Sequence, residues 1–263
     1  MPLIKIHSIN DLHIEPYINI RERDLVGRQH HFIAEGRVVI QVLIGTSHII
    51  ESFLFSEKHE EFAHEISPFI DPKIPVYLAE QSVLDNIAGF PLHRGLLALA
   101  QKKPSVSASE LLSGLPDQSV ILAAIGIANH DNMGGIFRNA AAFGCSAVLL
   151  DTTSCDPYYR KAIRVSVGGV LKVPFSSGDQ AENIIDELKA RKFDIYALSP
   201  SGQRELRDIP RGRPTAFLLG TEGNGLPDHI LQSVATVKIP ICSDFDSLNV
   251  AACSAIALYE MNR

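Results

Sequence analysis

Cysteine is scarce in this chain, and it is unpaired. The four cysteines, Cys145, Cys155, Cys242 and Cys253, form no C-x-x-C pair and sit in apolar or loop contexts. That pattern argues against a disulfide framework or a zinc site, and for buried free thiols in a cytoplasmic protein. Long hydrophobic runs are missing as well. The longest, Val120 to Ala128, is far short of the ~20 residues a helix needs to cross a bilayer, so no membrane association is expected. The opening MPLIKIHSIN carries no basic segment followed by a long apolar run and does not read as a secretory signal. Positive charge is not in excess either. The formal net charge is −6, a mild argument against non-specific attraction to nucleic acid.

What is present fits a globular chain of 263 residues with 46% apolar and 21% charged side chains. Its length favours two domains. A Ser- and Pro-rich stretch, residues 102–119, divides it, giving expected domains of 1–105 and 106–263. Most of the net negative charge lies in the first 118 residues. In the second half, Arg160, Lys161, Arg164 and Lys172 fall in a stretch from Pro157 to Gly178 with no acidic residue. Such a patch can bind phosphate whatever the global charge, and a solvated surface explains it about as well.

Both halves alternate strand and helix patterns. In the first, Phe32–Ala34, Ile49–Phe55, Ile74–Leu78 and Gly95–Ala100 read as strands, and Val38–Ile44 and Glu57–Ile66 as helices. In the second, Val120–Ala128 reads as a fully buried strand. A helix follows, capped by Asn132 and stopped by Gly144. Ala147–Leu150, Phe193–Leu198, Thr215–Leu219 and Val234–Ile239 read as further strands, and Gln180–Arg191 and Ser247–Met261 as helices. The expected class is α/β with a parallel sheet in the second half.

Three segments carry the chemistry. Asn132-Met-Gly-Gly-Ile-Phe-Arg138-Asn-Ala140 opens a helix straight after the buried strand, at the sheet edge where ligands bind. Arg138, among apolar neighbours, needs a partner for its charge; a structural carboxylate is one candidate. Leu218-Leu-Gly220-Thr-Glu222-Gly-Asn-Gly225-Leu226 runs a strand into a loop whose glycines permit close backbone approach. Its G-x-x-G-x-G spacing is not the dinucleotide fingerprint. In the third, Ile239 to Ala252, a helix cap accounts for Ser247, but Asn249 among small apolar residues should have defined partners.

Together these segments resemble the three signature motifs of the SpoU (TrmH-like) family of RNA ribose methyltransferases, in the trefoil-knotted SPOUT superfamily. They read N-x-G-x-I-x-R-x-A, L-G-x-E-G-x-G and I-P-x(6)-S-L-N-V-A, in family order. Arg164-Val-Ser-Val-Gly168 resembles the family's intervening R-x-S-x-G stretch. Phe32 to Gly36 more weakly resembles the start of a ribosomal-protein-like substrate-binding domain. The resemblance implies an α/β fold with a C-terminal knotted methyltransferase domain and a smaller N-terminal RNA-binding domain. It also implies homodimers, S-adenosylmethionine as methyl donor, and transfer to a ribose 2′-hydroxyl of structured RNA. By position, Leu219, Gly220, Ile239 and Leu248 would line the cofactor pocket. Arg138 would activate the hydroxyl, either as base or by holding a phosphate and stabilising the alkoxide, and Asn132, Glu222, Ser247 and Asn249 would orient the reacting groups. Arg160, Lys161 and Arg164 are expected to contact RNA, and no metal is required. The chain departs from the family at Asn129-His130-Asp131-Asn132, where many members have Asp-Pro-x-Asn; His130 is read as a loop residue without a catalytic role. A non-catalytic RNA-binding protein of the same fold, and a methyltransferase for another substrate, are the competing readings. The two-domain layout favours ribosomal RNA over transfer RNA.

Overall fold

The computed structural model describes residues 2–18, 30–88, 92, 94–242 and 244–262. The chain forms two units. One comprises Met1–Lys103 and Tyr158–Leu171, the other Pro104–Pro157 and Lys172–Arg263. No helix among the described residues is long and apolar enough to cross a membrane.

The first unit holds strands β1 (Leu3–Ile6), β2 (His31–Glu35), β3 (Ile50–Ser56), β4 (Val76–Ala79) and β5 (Leu96–Gln101), with helices α1 (Arg37–Ile44), α2 (Glu60–Ile66) and α3 (Gln81–Ala88). The strands form one mixed sheet in the order β1-β4-β3-β5-β2. Ile14, Tyr17, Ile33, Leu54, Leu84 and Leu97 pack in its core. The Tyr17 hydroxyl is buried there and bonds Ser52 Oγ at 2.9 Å. The polar pattern over Glu57–Ile66 yields a short 3-10 turn before α2 rather than one helix.

The stretch Tyr158–Leu171, which lies within the second half in sequence, belongs spatially to this unit. It enters through Tyr158, whose ring stacks on Phe32 with centroids 5.0 Å apart. Helix α4 (Arg160–Val165) follows. Arg160 pairs with Glu35 at the end of β2, and Arg164 lies 3.7 Å from the same carboxylate. Glu35 is 3% exposed, so its charge could not be buried without these partners. The expectation that the basic cluster lacks an acidic neighbour therefore fails in space: the counter-charge comes from a residue 125 positions away. Ser166 of the R-x-S-x-G stretch is buried and ends the helix, donating to Ile163 O at 2.8 Å and accepting from Val170 N.

In the second unit the apolar runs become a sheet of seven parallel strands. These are β6 (Val120–Ala124), β7 (Ala147–Asp151), β8 (Phe175–Asp179), β9 (Asp194–Leu198), β10 (Arg204–Glu205), β11 (Thr215–Leu219) and β12 (Ala235–Lys238). Their order is β10-β12-β9-β11-β6-β7-β8, and every pairing is parallel. β7 and β11 are buried along their whole length, as strands covered on both faces must be. Helices α5 (His130–Ala142), α6 (Ala181–Ala190), α7 (Asp228–Ser233) and α8 (Val250–Met261) complete the part that concerns the site. β6 ends at Ala124, short of the apolar run's end at Ala128. Beyond it the backbone leaves the sheet, turning at Gly126 with φ 71°.

A buried imidazole in the first unit makes stability depend on pH. His48 lies 2.9 Å from Thr46 Oγ1 and 3.1 Å from the Tyr158 hydroxyl. Burial, aided by the charge of Lys103, lowers its pKa from 6.5 to about 4. Between these values the unfolded chain binds a proton that the folded chain refuses. Stability should thus fall as the pH drops from 6.5 towards 4, by about 3 kcal/mol at the bottom of the window. Urea unfolding across that range checks this against His48→Gln, which keeps polar contacts but cannot charge. The variant should lose less stability over the window, and parallel pH dependences would exclude His48 as the source.

Candidate active site

The site lies at the carboxyl edge of the parallel sheet, where backbone leaving adjacent strands opens a crevice. Loops after β9, β11 and β12 enclose a cavity of about 480 Å³, within the range of roughly 300–1,000 Å³ typical of ligand clefts. All four residues expected to line a cofactor pocket, Leu219, Gly220, Ile239 and Leu248, do line it, as do Glu222, Ser247 and Asn249. Its wall is largely apolar side chain and glycine backbone, a composition suited to a nucleoside held by shape and main-chain bonds.

The polar groups are wired together by Asn249. It caps α8, with its side-chain carbonyl accepting from Ala251 N at 2.9 Å and Ala252 N at 3.3 Å. Its amide nitrogen donates to Asn132 Oδ1 and to Glu222 Oε1, both at 2.8 Å. The carboxamide thus spends both donors and both acceptor positions, which answers the question raised by an amide in an apolar setting. Two caps differ from expectation. The cap of α8 is Asn249 and not Ser247, because the helix begins at Val250. The cap of α5 is Asn129, whose side chain accepts from Asp131 N and Asn132 N. Asn132 is thereby freed to sit inside the first turn, 6% exposed and aimed at Asn249. His130 opens α5 rather than lying in the preceding loop.

Helices α5 and α8 pack unusually closely. A Cβ added at Gly135 would stand 2.6 Å from Ala251 Cβ, so only glycine permits the contact. Asn139 fastens it, donating to Ala251 O at 2.6 Å and to Ser254 Oγ at 3.0 Å. Ala251 and Ser254 thus serve an intramolecular contact. Arg138 points elsewhere. It is exposed, lies about 9 Å along the helix axis from Asn132, and has no side-chain partner among the described residues. The structural-carboxylate explanation for this arginine is removed. Ser247 is likewise exposed on the cavity wall.

The glycine loop folds back on itself. Thr221 and Gly225 exchange backbone hydrogen bonds of 3.2 and 3.1 Å, which holds Glu222 beside Asn249. Sequence reading missed the third wall of the cavity, Leu198, Ser199 and Pro200, and also Phe245 and Cys253. The available signal for the first group was the end of a buried strand in a parallel sheet. Burial raises the Cys253 thiol pKa. Ser243, inside the third motif, lies outside the described residues.

The sequence model of the SpoU rRNA Methylase family matches residues 119–259, more than half of the chain. The chain belongs to that family. It is similar to a tRNA/rRNA methyltransferase of Mycobacterium bovis, itself uncharacterized, with 34% identity over 92% of this chain and 84% of the relative. It is 27% identical to the 23S rRNA (guanosine-2'-O-)-methyltransferase RlmB of Nitrosomonas europaea, over 82% of this chain and 84% of that protein. Among solved structures it resembles an AdoMet-bound rRNA methyltransferase from Sinorhizobium meliloti, with a TM-score of 0.80 at 21% identity over 99% of this chain and 98% of that one. The α/β fold with a parallel sheet is the SpoU fold.

Gly220 has no room for a side chain: a Cβ there would meet Gly225 C at 2.4 Å and Leu226 N at 2.5 Å, backbone of its own loop. Gly220→Ala should therefore lower the unfolding free energy by about 1–3 kcal/mol and displace Glu222 as well. Thermal melts and calorimetric titration with S-adenosylmethionine should show both losses together. Unchanged stability would mean that the loop yields freely.

Proposed function

We propose that this SpoU protein transfers a methyl group from S-adenosylmethionine to a ribose 2′-hydroxyl of structured RNA, with ribosomal RNA favoured over transfer RNA. The observation that carries the reading is the hydrogen-bonded chain Glu222–Asn249–Asn132 at the wall of the cavity. It joins one polar residue from each of three family motifs beside a pocket fit for a nucleoside. Family membership and the RNA 2′-O-methyltransferase named among the relatives support the reaction type. A fold-retaining protein that had lost catalysis would have no reason to keep this chain of contacts intact.

Leu219, Gly220, Ile239 and Leu248 would hold the cofactor. When bound, it supplies a methyl on a sulfonium, so the new C–O bond forms as the C–S bond breaks and the electron pair goes to sulfur. The chain's task is to align the hydroxyl and manage its proton. Arg138, exposed and unneutralised within the described structure, suits an electrostatic role: it holds a substrate phosphate and stabilises the developing alkoxide. Its guanidinium, with a pKa above about 12, is a poor base. Glu222 and Ser247, on the cavity wall, meet the ribose or its phosphate, while Asn249 and Asn132 hold Glu222 in place.

The quaternary state belongs to the same reading. Helix α8 is largely apolar, and its Ala252, Ile256 and Tyr259 stripe is exposed. A second copy covering that stripe gives the homodimer the family resemblance implies. The trefoil knot would involve the loops after β11 and β12, both of which line the cavity. Four free cysteines suit a cytoplasmic enzyme.

Arg138→Ala should abolish methyl transfer to total RNA while S-adenosylmethionine affinity stays near wild type. Arg138→Lys should also be poor, since a point charge does not reproduce the planar fork. Radiolabel transfer and calorimetry measure the two properties, and near-wild-type turnover would falsify the assignment.

Arg160 and Arg164 converge on the buried carboxylate of Glu35, and with Lys161 beside them in the chain they form a basic cluster that suits RNA phosphates. The three should nonetheless behave differently. Lys161→Ala and Arg164→Ala should each lower the slope of log affinity against log salt by somewhat under one, as one phosphate contact is lost. Arg160→Ala should instead destabilise the fold, by about 3 kcal/mol, because Glu35 loses its nearest partner. Filter-binding salt titrations and urea melts separate the two effects, and an unchanged salt slope for both Lys161→Ala and Arg164→Ala removes the cluster from the RNA interface.

A further inference from the structure

In the second unit, the large apolar side chains left exposed among the described residues are Phe245, Ile256 and Tyr259. Ile256 and Tyr259 lie on α8. Phe245 is different. It sits in the loop after β12, lines the cavity, and is 67% exposed. A phenyl ring in water at the wall of a binding pocket forfeits about 1.5–3 kcal/mol that burial would provide. Nothing local requires the ring to stand there: the loop is turned by a backbone bond from Phe245 N to Cys242 O at 3.2 Å, which any residue could make.

The chemistry on either side narrows what the ring meets. Asp244 and Asp246 flank it, and both are exposed. Two carboxylates repel a phosphate backbone. They accept hydrogen bonds from the amino groups of adenine, cytosine and guanine. Just beyond, Ser247 and Asn249 line the same cavity. Resting on the RNA methyltransferase reading, we propose that Phe245 is the stacking platform for the unpaired base of the nucleotide being methylated, with Asp244 and Asp246 facing its amino-bearing edge. Single-stranded bases are recognised by aromatic faces together with hydrogen bonds to their edges. Stacking here places the ribose beside the methyl donor and leaves the phosphates to cations elsewhere. The cofactor does not need this ring, because Leu219, Ile239, Ile241 and Leu248 already supply an apolar wall.

The test uses full-length protein and total RNA from cells lacking the gene. Methyl transfer is followed with labelled S-adenosylmethionine, cofactor affinity by calorimetry, and oligomeric state by sedimentation. Phe245→Ala should raise the KM for RNA about tenfold, the size expected for one lost base stack. Its cofactor Kd should stay within about twofold of wild type, and its sedimentation should not change. Phe245→Trp, which keeps a π-face, should restore the KM, and Phe245→Leu, apolar but without one, should not. The proposal is overturned by an unchanged KM in Phe245→Ala, by rescue with Leu, by an equal loss of cofactor affinity, or by dissociation into slower-sedimenting species. No transfer to RNA by the wild-type protein would sink the underlying reading. Transfer by the wild type with an unaffected Phe245→Ala would sink this inference alone.

Discussion

One carboxamide holds the catalytic region together. Asn249 ends a loop, starts α8, and donates to residues from two other segments, with 2.8 Å contacts to Asn132 and Glu222. Because its carbonyl is committed to the helix terminus, the amide protons have only one direction in which to point. Orientation follows from capping, and capping follows from the fold. Asn132 is fixed in turn by Asn129, which takes the capping role at α5 and leaves its neighbour free to face inward. The Gly135–Ala251 contact and the Asn139 clamp set the spacing between the two helices that carry these groups. The two asparagines at the site thus take their positions from local rules of backbone satisfaction.

Much of this was legible from the amino-acid order. Strand β11 fell on Thr215–Leu219 as read, because an apolar run bounded by Pro214 and Gly220 leaves little choice. Asn249 was legible as a group needing partners, though not which ones. Those partners lie 117 and 27 residues away, and a single sequence carries no measure of such distances. The helix starts were misplaced for a local reason. Asn129, Asn132, Ser247 and Asn249 are all good capping residues, and only packing decides between them. The wall formed by Leu198, Ser199 and Pro200 was invisible because strand order, not sequence order, puts β9 beside β11.

The basic cluster shows how composition misleads about charge. Read along the chain, Arg160, Lys161 and Arg164 fall in a stretch, Pro157 to Gly178, with no acidic residue. Read in space, two of them converge on Glu35, a carboxylate almost withdrawn from water. Such an arrangement works as a fastening, which ties an excursion of the chain to strand β2. The same unit carries His48, another polar group kept in a costly environment by its contacts.

The long reach of the Asn132–Asn249 bond has a consequence for biosynthesis. At ribosomal rates of about 5–20 residues per second, the 117 residues between the two amides take roughly 6–23 seconds to make. Throughout that interval α5 can form, but its inward-facing asparagine has no mate and its glycine notch at Gly135 stands open. The parallel sheet can begin to gather from β6, yet the cavity cannot close until the segment through Cys253 has emerged. A ribosome stalled before that point would present α5 with its Gly135 notch unfilled by Ala251.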